Sequence, residues 1–385
     1  MSAVPPVAKL LQQLVRIPSV NPSGDPGTPH VGEKKIALFL KEKLRSLGAK
    51  VELQMAAPGR PNVIARFPAR RKSERAVLIE PHTDTVSVLG MTVEPFGGEI
   101  KNGRVWGRGA CDTKGPMAAM LSAIAGIARA KKFPETTDIY YVAAMGEEAG
   151  NEGALHLMQS KYFQKQRVKV EFAIALEPTE MQIVHKHKGA MWLKITSHGR
   201  AVHGSRPELG ENAILKMVDA IGFLSRDLPA LYAKFEDPDL GKPSFSVNLI
   251  RGGSKVNIVP DWCEIEVDHR ALPREKEADL VKLLRERLQG FDVKVTSSRP
   301  GLHTPSDHAH VRKLKAALCE HGRGDNALAA APWFADSGVF GEAGIPSVAF
   351  GPGSIAQAHT RDEYIDIDEL VAGEEIFRTY LENLE

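Results

Sequence analysis

Residues 76–84 read AVLIEPHTD, and this stretch gives the strongest indication of the fold. A short apolar run ends in a histidine and an aspartate, which is typical of a buried strand with polar groups at its carboxyl end. Two further apolar runs end in acids: residues 138–148 read DIYYVAAMGEE, and residues 172–177 read FAIALE. Functional groups of α/β sheets gather at the carboxyl ends of strands, so three such ends predict one shared site.

Helical patterns alternate with these strands and place the chain in the α/β class. Apolar residues recur at helical spacing in 7–14 and 36–47, and the apolar run 116–128 predicts a buried helix. After residue 186 the order becomes strand, helix, strand, strand, helix, strand, which is typical of a compact α+β unit. We therefore predict a central, mostly parallel or mixed sheet flanked by helices, formed by 1–186 and 301–385. An α+β domain is inserted at 187–300.

The composition excludes several classes of protein. The 385 residues carry 50 Lys and Arg against 48 Asp and Glu, a net charge of +2 that argues against a nucleic-acid partner. The apolar run 116–128 is too short to span a bilayer, which argues against a membrane partner. The three cysteines form no disulfide or zinc-cluster pattern, and no export signal is recognisable. We expect a cytoplasmic protein.

The predicted site carries an excess of negative charge. With Asp112 in the loop 107–115, convergence would bring five carboxylates together: Asp84, Asp112, Glu147, Glu148 and Glu177. Such groups cannot all ionise at short range without compensation, and two divalent cations would supply it. Histidine and carboxylate ligands without thiolate suit zinc, and also cobalt or manganese. His82 and Asp84 face the same way on an extended segment, so Asp84 could orient the His82 ring by a hydrogen bond.

Several motifs together carry a family resemblance. They are His82-Thr83-Asp84-Thr85-Val86, the loop Gly107–Gly115, Glu147-Glu148, Glu177-Pro178, and GPGSIAQAH at 351–359. The sequence resembles the M20 family of metallopeptidases over essentially its whole length. Within that family it resembles the acetylornithine deacetylase and succinyl-diaminopimelate desuccinylase group. The stretch 351–359, followed by Asp362-Glu363-Tyr364, looks like the acetylornithine deacetylase branch.

The resemblance implies a zinc-peptidase-like catalytic domain and a role for each site residue. One zinc would be bound by His82 and Glu177, and the other by Glu148 and His359. Asp112 would bridge both ions, often with a cis peptide after it. Glu147 would be the general acid and base, and Asp84 would orient His82.

The inserted domain resembles the lid and dimerisation domain of the family through residues 199–214, GRAVHGSRPELGENAI. The resemblance implies that His203 reaches the reacting carbonyl from the partner subunit of a homodimer. Arg270 and Asn257 would hold the substrate, with the guanidinium of Arg270 on a carboxylate.

Simpler interpretations exist for individual residues. Asp112 could cap the helix that begins near Gly115, and Asn257 could cap a turn before Pro260. The pair Glu147-Glu148 could begin a solvated helix.

For the whole chain, our first hypothesis is a di-zinc amidohydrolase acting on an N-acyl amino acid, with N-acetylornithine as the favoured substrate. The alternatives are a carboxypeptidase or dipeptidase of the same family and, remotely, an inactive binding or scaffold relative.

Overall fold

The apolar runs of the sequence form parallel strands at the centre of a mixed sheet. The computed structural model describes residues 3–325 and 327–385. Two compact units are present: Met1–His185 with Thr304–Ala329 and Ala335–Glu385, and Lys186–His303 with Ala330–Phe334. The second unit contains the predicted insertion 187–300 and also takes Lys186, 301–303 and 330–334 from the predicted first domain. The main-chain N–H of Lys188 donates to the oxygen of Ala331 at 3.0 Å, which ties the later segment to this unit.

The chain before the insertion alternates helices and strands, as its sequence predicts. These elements are α1 (Pro6–Val15), α2 (Lys34–Ser46), β1 (Lys50–Ala57), β2 (Arg60–Phe67), β3 (Arg75–Glu80), β4 (Glu99–Lys101), β5 (Arg104–Trp106), α3 (Lys114–Ala130), β6 (Asp138–Ala143), α4 (Glu147–Gly150), α5 (Glu152–Gln159), α6 (Tyr162–Lys165), β7 (Lys169–Ala175) and β8 (Ile183–His187).

The second unit has the predicted strand and helix order. Its elements are β9 (Gly189–His198), β10 (Val202–His203), α7 (Ala213–Gly222), α8 (Leu228–Tyr232), β11 (Ser244–Gly252), β12 (Ile258–Val259), β13 (Trp262–Ala271), α9 (Glu277–Arg287), β14 (Phe291–Arg299) and β15 (Leu302–His303). Four strands form an antiparallel sheet in the order β11-β13-β9-β14, and β10 pairs with β12 in a short ribbon. The apolar faces of α7 and α9 cover one side of the four-stranded sheet.

The last part of the chain returns to helices and short strands. Its elements are α10 (Ala309–Glu320), β16 (Leu328–Ala331), α11 (Asp336–Glu342), β17 (Ser347–Ala349), β18 (Tyr364–Asp366) and α12 (Ile367–Glu382). Strands β18, β5 and β4 form a separate antiparallel sheet.

The main sheet of the first unit runs in the order β1-β2-β6-β3-β7-β17-β8. Strands β6, β3, β7 and β17 are parallel neighbours, and β1, β2 and β8 pair antiparallel. Successive residues of β3 point to opposite faces, so Val77 packs with the helices on one side and Leu78 with those on the other. Both faces are therefore buried, which explains why β3 is apolar from Ala76 to Ile79 rather than alternating.

Helices cover both faces of this sheet. The larger core lies under α1, α2, α3, α10 and α12, and the smaller one under α5, α6 and α11. Helix α3 is the predicted buried helix, and it packs between α1 and α12. Within the described residues, no helix is both long and apolar enough to span a membrane.

Candidate active site

The parallel strands bring the predicted metal ligands to one edge of the main sheet. Because β3, β6, β7 and β17 run in the same direction, the segments that follow them leave at the same edge. His82 follows β3, Glu147 and Glu148 follow β6, and Glu177 follows β7. The loop after β17 carries His359. The convergence predicted from the strand ends is therefore present in the fold.

Asp112 lies between the two predicted histidine ligands. Its Oδ1 is 2.9 Å from Nε2 of His82, and its Oδ2 is 3.3 Å from Nε2 of His359. Burial would raise the pKa of this carboxyl, but the hydrogen bonds from His359 and His82 outweigh burial and lower it. The peptide bond after Asp112 is cis, as the resemblance implied. Asp112 does not cap α3, whose N-cap is Thr113.

The second ring nitrogen of His82 has a different partner from the one predicted. Its Nδ1 lies 3.0 Å from the main-chain oxygen of Asp84, whereas the nearest carboxylate oxygen of Asp84 is 3.6 Å away. A carbonyl oxygen only accepts, so Nδ1 carries the proton and Nε2 faces the site. The Asp84 carboxylate instead accepts from the Asn21 amide at 2.8 Å and from the main-chain N–H groups of Glu147 and Glu148 at 3.0 and 3.2 Å. Asp84 thus anchors both the ring and the turn that carries the two glutamates.

Glu148 reaches the same centre from the turn after β6. Its Oε2 is 3.1 Å from Nε2 of His359, which is half exposed and adopts a φ of 64°. Hydrogen bonds to Asp112 and Glu148 raise the pKa of His359 to about 10. Burial raises the pKa of the Glu148 and Glu177 carboxyls, and the Asp112 charge raises both further. This excess of buried negative charge is the one that the sequence predicted.

Glu147 is buried beside these ligands. Burial raises the pKa of its carboxyl well above the usual range, and the charge of Glu177 adds to this effect. Its Oε1 accepts a hydrogen bond from the Asn151 amide at 3.3 Å. A carboxyl at a site of this kind can accept a proton and return it in a later step.

Glu363 holds the loop that carries Asp112, and the sequence reasoning assigned it no role. Its buried carboxylate accepts from Arg108 Nη1 at 2.7 Å. It also accepts from the main-chain N–H groups of Gly109, Cys111 and Asp112 at 2.9 to 3.0 Å. Its only sequence signal was its place in the motif stretch 362–364. The pairing of β18 with β5 brings it to a loop about 250 residues earlier in the chain.

Asn151 and Asp336 are two further buried polar residues that the sequence reasoning missed. The Asn151 amide donates to Asp336 Oδ1 at 2.8 Å as well as to Glu147. Burial raises the pKa of Asp336 to about 6. No local pattern distinguishes Asp336 from any acid at the start of a helix, so only the fold reveals its position near Glu147.

The predicted residues of the insertion lie at two ends of the second unit. His203 is exposed on β10, where its Nδ1 is 2.8 Å from the Ser205 hydroxyl. The exposed Asn257 lies just before β12, and its oxygen accepts from the N–H of Gly204 at 2.8 Å. His203 and Asn257 are therefore close to each other. Arg270 lies near the opposite end of β13.

The guanidinium of Arg270 is held on two sides. Its Nε donates to Asp268 Oδ2 at 2.9 Å, and its carbon lies 5.6 Å from the centre of the Phe334 ring. Asp268 is itself fixed by the indole N–H of Trp192 at 3.2 Å. An arginine held through Nε keeps its two terminal nitrogens for a carboxylate, which suits two-point recognition.

The donor set of the first unit fits divalent cations. Ligand atoms of His82, Asp112 and Glu148 lie within 4.8 Å of one another. Imidazole and carboxylate donors suit zinc and similar ions. Such ions would place positive charge among the buried acids. The neighbouring Cys111 does not contribute, because its thiol donates to the main-chain oxygen of Ser354 at 3.3 Å. The fold and the site together define an α/β protein with a candidate metal centre at the carboxyl edge of its sheet.

Comparison with known sequences agrees with this class. The chain matches peptidase family M20/M25/M40 over residues 78–383. It is 30% identical to the acetylornithine deacetylase of Proteus mirabilis (strain HI4320), over 99% of this chain and 97% of that protein. It is 32% identical to the acetylornithine deacetylase of Pectobacterium carotovorum (strain PC1), over 94% of each chain.

Solved structures share the fold over almost the whole chain. The M20 family metallo-carboxypeptidase Sso-CP2 from Sulfolobus solfataricus has a TM-score of 0.80 at 19% identity, over 98% of this chain and 99% of that chain. The aminopeptidase PepT from Bacillus cereus ATCC 10987 has a TM-score of 0.78 at 24% identity, over 98% and 97%. A dinuclear metal binding peptidase of the M20 family, YXEP from Bacillus subtilis, has a TM-score of 0.72 at 14% identity, over 98% and 96%.

The chain belongs to peptidase family M20/M25/M40. It is a hydrolase of that family, with the mixed α/β fold that its strand ends predicted.

Proposed function

We propose that this chain is a two-metal hydrolase that removes the acyl group from an N-acyl amino acid, with N-acetylornithine as its substrate. The observation that carries the proposal is the placement of Asp112 between His82 and His359, with the buried Glu147 beside them. The relatives named acetylornithine deacetylase, which align with nearly the whole chain, support the choice of substrate.

The ligands proposed from the sequence are retained: His82 and Glu177 for one ion, Glu148 and His359 for the other, and Asp112 for both. Two divalent cations, with zinc favoured by the donor set, would lower the pKa of the attacking water and polarise the amide carbonyl. Glu147 takes the proton of that water and returns it to the leaving amine, so one carboxyl acts as base and then as acid.

The second unit would supply the contacts to the substrate. Arg270 offers its two terminal nitrogens to the substrate carboxylate, and Asp268 keeps the guanidinium in the orientation this requires. His203 donates a hydrogen bond to the developing oxyanion, and Asn257 lies beside it to position the acyl end.

A homodimer would reconcile the positions of His203 and Arg270. His203 pairs with Ile258 in the separate ribbon of β10 and β12, just before β13 begins, while Arg270 pairs with Ala190 near the other end of β13. From Trp262 to Arg270 alone, the strand spans roughly 26 Å at about 3.3 Å per residue, longer than a small N-acyl amino acid. One substrate would therefore meet Arg270 of one chain and His203 of another. Edge strand β11 and the exposed Leu249 and Ile250 on it offer a surface for a second copy.

We also propose a cytoplasmic location. All three cysteines are free, and Cys319 is exposed, which is the usual state of thiols in a reducing compartment.

Release of acetate from N-acetylornithine, measured beside cleavage of a dipeptide panel, tests the activity. We expect acetate release by the wild-type chain. Glu147→Gln should lower kcat by about 10²- to 10⁴-fold, the usual contribution of a general acid and base, and should retain the bound metal.

The control is Glu171→Gln, the same change on β7 at a glutamate that pairs with Arg75 at 2.9 Å. It should leave kcat unchanged. Cleavage of dipeptides without acetate release at millimolar substrate would replace the deacylase with the peptidase hypothesis. Full activity of Glu147→Gln would refute the role of Glu147.

A further inference from the structure

Asn151 is tied to Glu147 through both its backbone and its side chain. It lies four residues after Glu147, and its main-chain N–H donates to the Glu147 carbonyl at 3.2 Å. Its side-chain amide donates to Glu147 Oε1 at 3.3 Å and to Asp336 Oδ1 at 2.8 Å. Both neighbours of this amide nitrogen are carboxylate oxygens, so the NH₂ group and not the carbonyl must face them.

The conformation of Asn151 is determined by its place between two helices. It ends α4 and begins α5 with a φ of 57°, a left-handed conformation that asparagine tolerates better than most residues. Its carbonyl accepts the N–H of Leu155 at 2.9 Å, in the first turn of α5. The side chains of Asn151 and Asp336 are almost fully buried. The ends of α4 and α5 therefore fix the backbone of Asn151, and Asp336 holds the amide at the end of its side chain.

The local arrangement leaves one amide oxygen unsatisfied. Asn151 Oδ1 is buried without a hydrogen-bond partner among the described residues, whereas the Asp336 carboxyl also contacts the buried carboxyl of Glu80. An unsatisfied buried polar atom costs about 1–3 kcal/mol, so an apolar pair of the same shape would be more favourable for packing alone. Polar groups kept in such a position call for an explanation other than packing.

We propose that Asn151, anchored by Asp336, is a positioning residue that holds Oε1 of Glu147 and leaves Oε2 to exchange the proton. An amide has no proton to lose in this range of pH, so it donates to Oε1 in both protonation states of Glu147. The proton of the attacking water then goes to Oε2 and passes from Oε2 to the nitrogen of the leaving amine. This inference rests on the proposed function, because it assigns a geometry to the base that the function requires.

Steady-state kinetics of Asn151→Gly test the inference. Glycine accepts the left-handed backbone, so the substitution removes the amide without straining the turn. We expect kcat to fall by about 10- to 100-fold, since a small misplacement of a reacting group has effects of this size. KM should stay within about twofold and metal content should not change, because neither the substrate contacts nor the ligands are altered. A wild-type kcat would overturn the inference.

A double-mutant comparison separates positioning from general loosening of the turn. Glu147→Asp withdraws the carboxylate from the Asn151 amide while leaving a weak base. In that background Asn151→Gly should lower kcat by less than about threefold. The matched control is Asn62→Ala, which removes another buried amide that holds Met145 and Gly153 but does not touch Glu147. Its effect should be the same factor in both backgrounds. An equal cost of Asn151→Gly in both backgrounds would show a structural role only.

Variants of Asp336 test the anchor even if Asn151→Gly folds poorly. Asp336→Asn keeps an oxygen that can accept from the Asn151 amide, and it should retain kcat within about threefold. Asp336→Ala removes that oxygen and should lower kcat as Asn151→Gly does. Equal kcat values for the two Asp336 variants would overturn the anchor.

The failure of the proposed function has a different signature. If the wild type hydrolyses no N-acyl amino acid, the proposed function fails, whereas full activity of Glu147→Gln would refute only the role of Glu147 as the base. If Glu147→Gln is inactive but Asn151→Gly is not impaired, only the role of Asn151 fails.

Discussion

Asp112 has two carboxylate oxygens, and each faces a different imidazole. The sequence could predict the types of residue at this centre, because each ligand follows a strand or lies in a glycine-rich loop. It could not predict that the Asp84 carboxylate would accept hydrogen bonds from the Asn21 amide and from the main-chain N–H of Glu147. Asn21 lies 63 residues away in a loop without a motif. Hydrogen bonds of this kind depend on the packing of distant loops, which no local pattern encodes.

Glu363 offers a prediction at the scale of one residue. Glu363→Gln keeps the shape but turns one acceptor oxygen into a donor that faces N–H groups, and it leaves the buried Arg108 without its counter-charge. Removing one partner of a buried ion pair costs about 3–5 kcal/mol, so we expect a loss of this size in the free energy of unfolding. Urea unfolding measures it, and metal affinity should fall because the Asp112 loop loses its support.

The control for this prediction is Glu369→Gln. Glu369 pairs with Arg323 at 2.7 Å, but both side chains are partly exposed, so its loss should cost less than about 1 kcal/mol. Similar costs for the two variants would mean that the Glu363 carboxylate does not stabilise the loop.

The main elements follow their sequence patterns closely, and the short ones do not. Strand β3 and helix α3 are long and apolar enough to be recognised. The three-residue strands β4, β5 and β18 have no such signal, and β18 pairs with β5 across more than 250 residues. Arg104 lies 3.8 Å from the centre of the Tyr364 ring in this small sheet. These contacts bring Glu363 to the Asp112 loop, so the element that sequence reasoning missed also explains the missed residue.

Helix α10 carries a histidine that should make stability depend on pH. His310 stacks on Phe172 with ring centres 5.0 Å apart, and its Nδ1 is 3.0 Å from the Tyr380 hydroxyl. Burial lowers its pKa to about 4, and the positive charges of His308, Lys313 and Arg75 contribute, against an opposing effect of Glu171. Below its ordinary pKa of 6.5 the unfolded chain binds a proton that the folded chain does not. Stability is therefore complete above pH 6.5 and is lost as the pH falls towards 4.

This linkage should cost about 2 kcal/mol between pH 7 and pH 5. Urea unfolding of wild type and His310→Gln at several pH values isolates the contribution, because the other histidines are common to both chains. We expect the variant to lose about 2 kcal/mol less than wild type over this interval. Parallel stability curves for the two chains would contradict the prediction.

The near-neutral charge of the whole chain conceals a strongly uneven distribution. The net charge is +2, yet five carboxylates assigned to one site lie at one edge of one sheet. The sequence could predict this concentration because the acids follow strands of the same domain. It could not predict that 330–334 would join the second unit, because the pairing of Lys188 with Ala331 depends on a return of the chain after 140 residues. That return also brings Phe334 to Arg270.

The proposed homodimer makes a prediction for the whole assembly. His203→Ala and Arg270→Ala should each lower kcat/KM by at least about 10²-fold, since one loses an oxyanion donor and the other a two-point carboxylate contact. If each active site takes Arg270 from one chain and His203 from the other, a mixed dimer has one site with both residues intact. Random mixing makes half of the dimers mixed, and each has one competent site of two. Mixing equal amounts of the two variants under exchange conditions should therefore restore about a quarter of wild-type activity.

Two controls make this result decisive. A mixture of His203→Ala with Glu147→Gln should also recover activity. In the mixed dimer, the His203→Ala chain supplies Arg270 and Glu147 to one site, and its partner supplies His203 to the same site. Arg270→Ala mixed with Glu147→Gln should stay inactive, because Arg270 and Glu147 are proposed to serve from the same chain, and every site then lacks one of them. Recovery in the mixture of Arg270→Ala with Glu147→Gln would show that Arg270 and Glu147 come from different chains. No recovery in the two mixtures that contain His203→Ala, while light scattering reports a dimer, would show that one chain supplies His203 together with Arg270 and Glu147. From Trp262 to Arg270 strand β13 spans roughly 26 Å at about 3.3 Å per residue, and His203 pairs with Ile258, which precedes Trp262. This length argues against one chain supplying both His203 and Arg270 to the same small substrate.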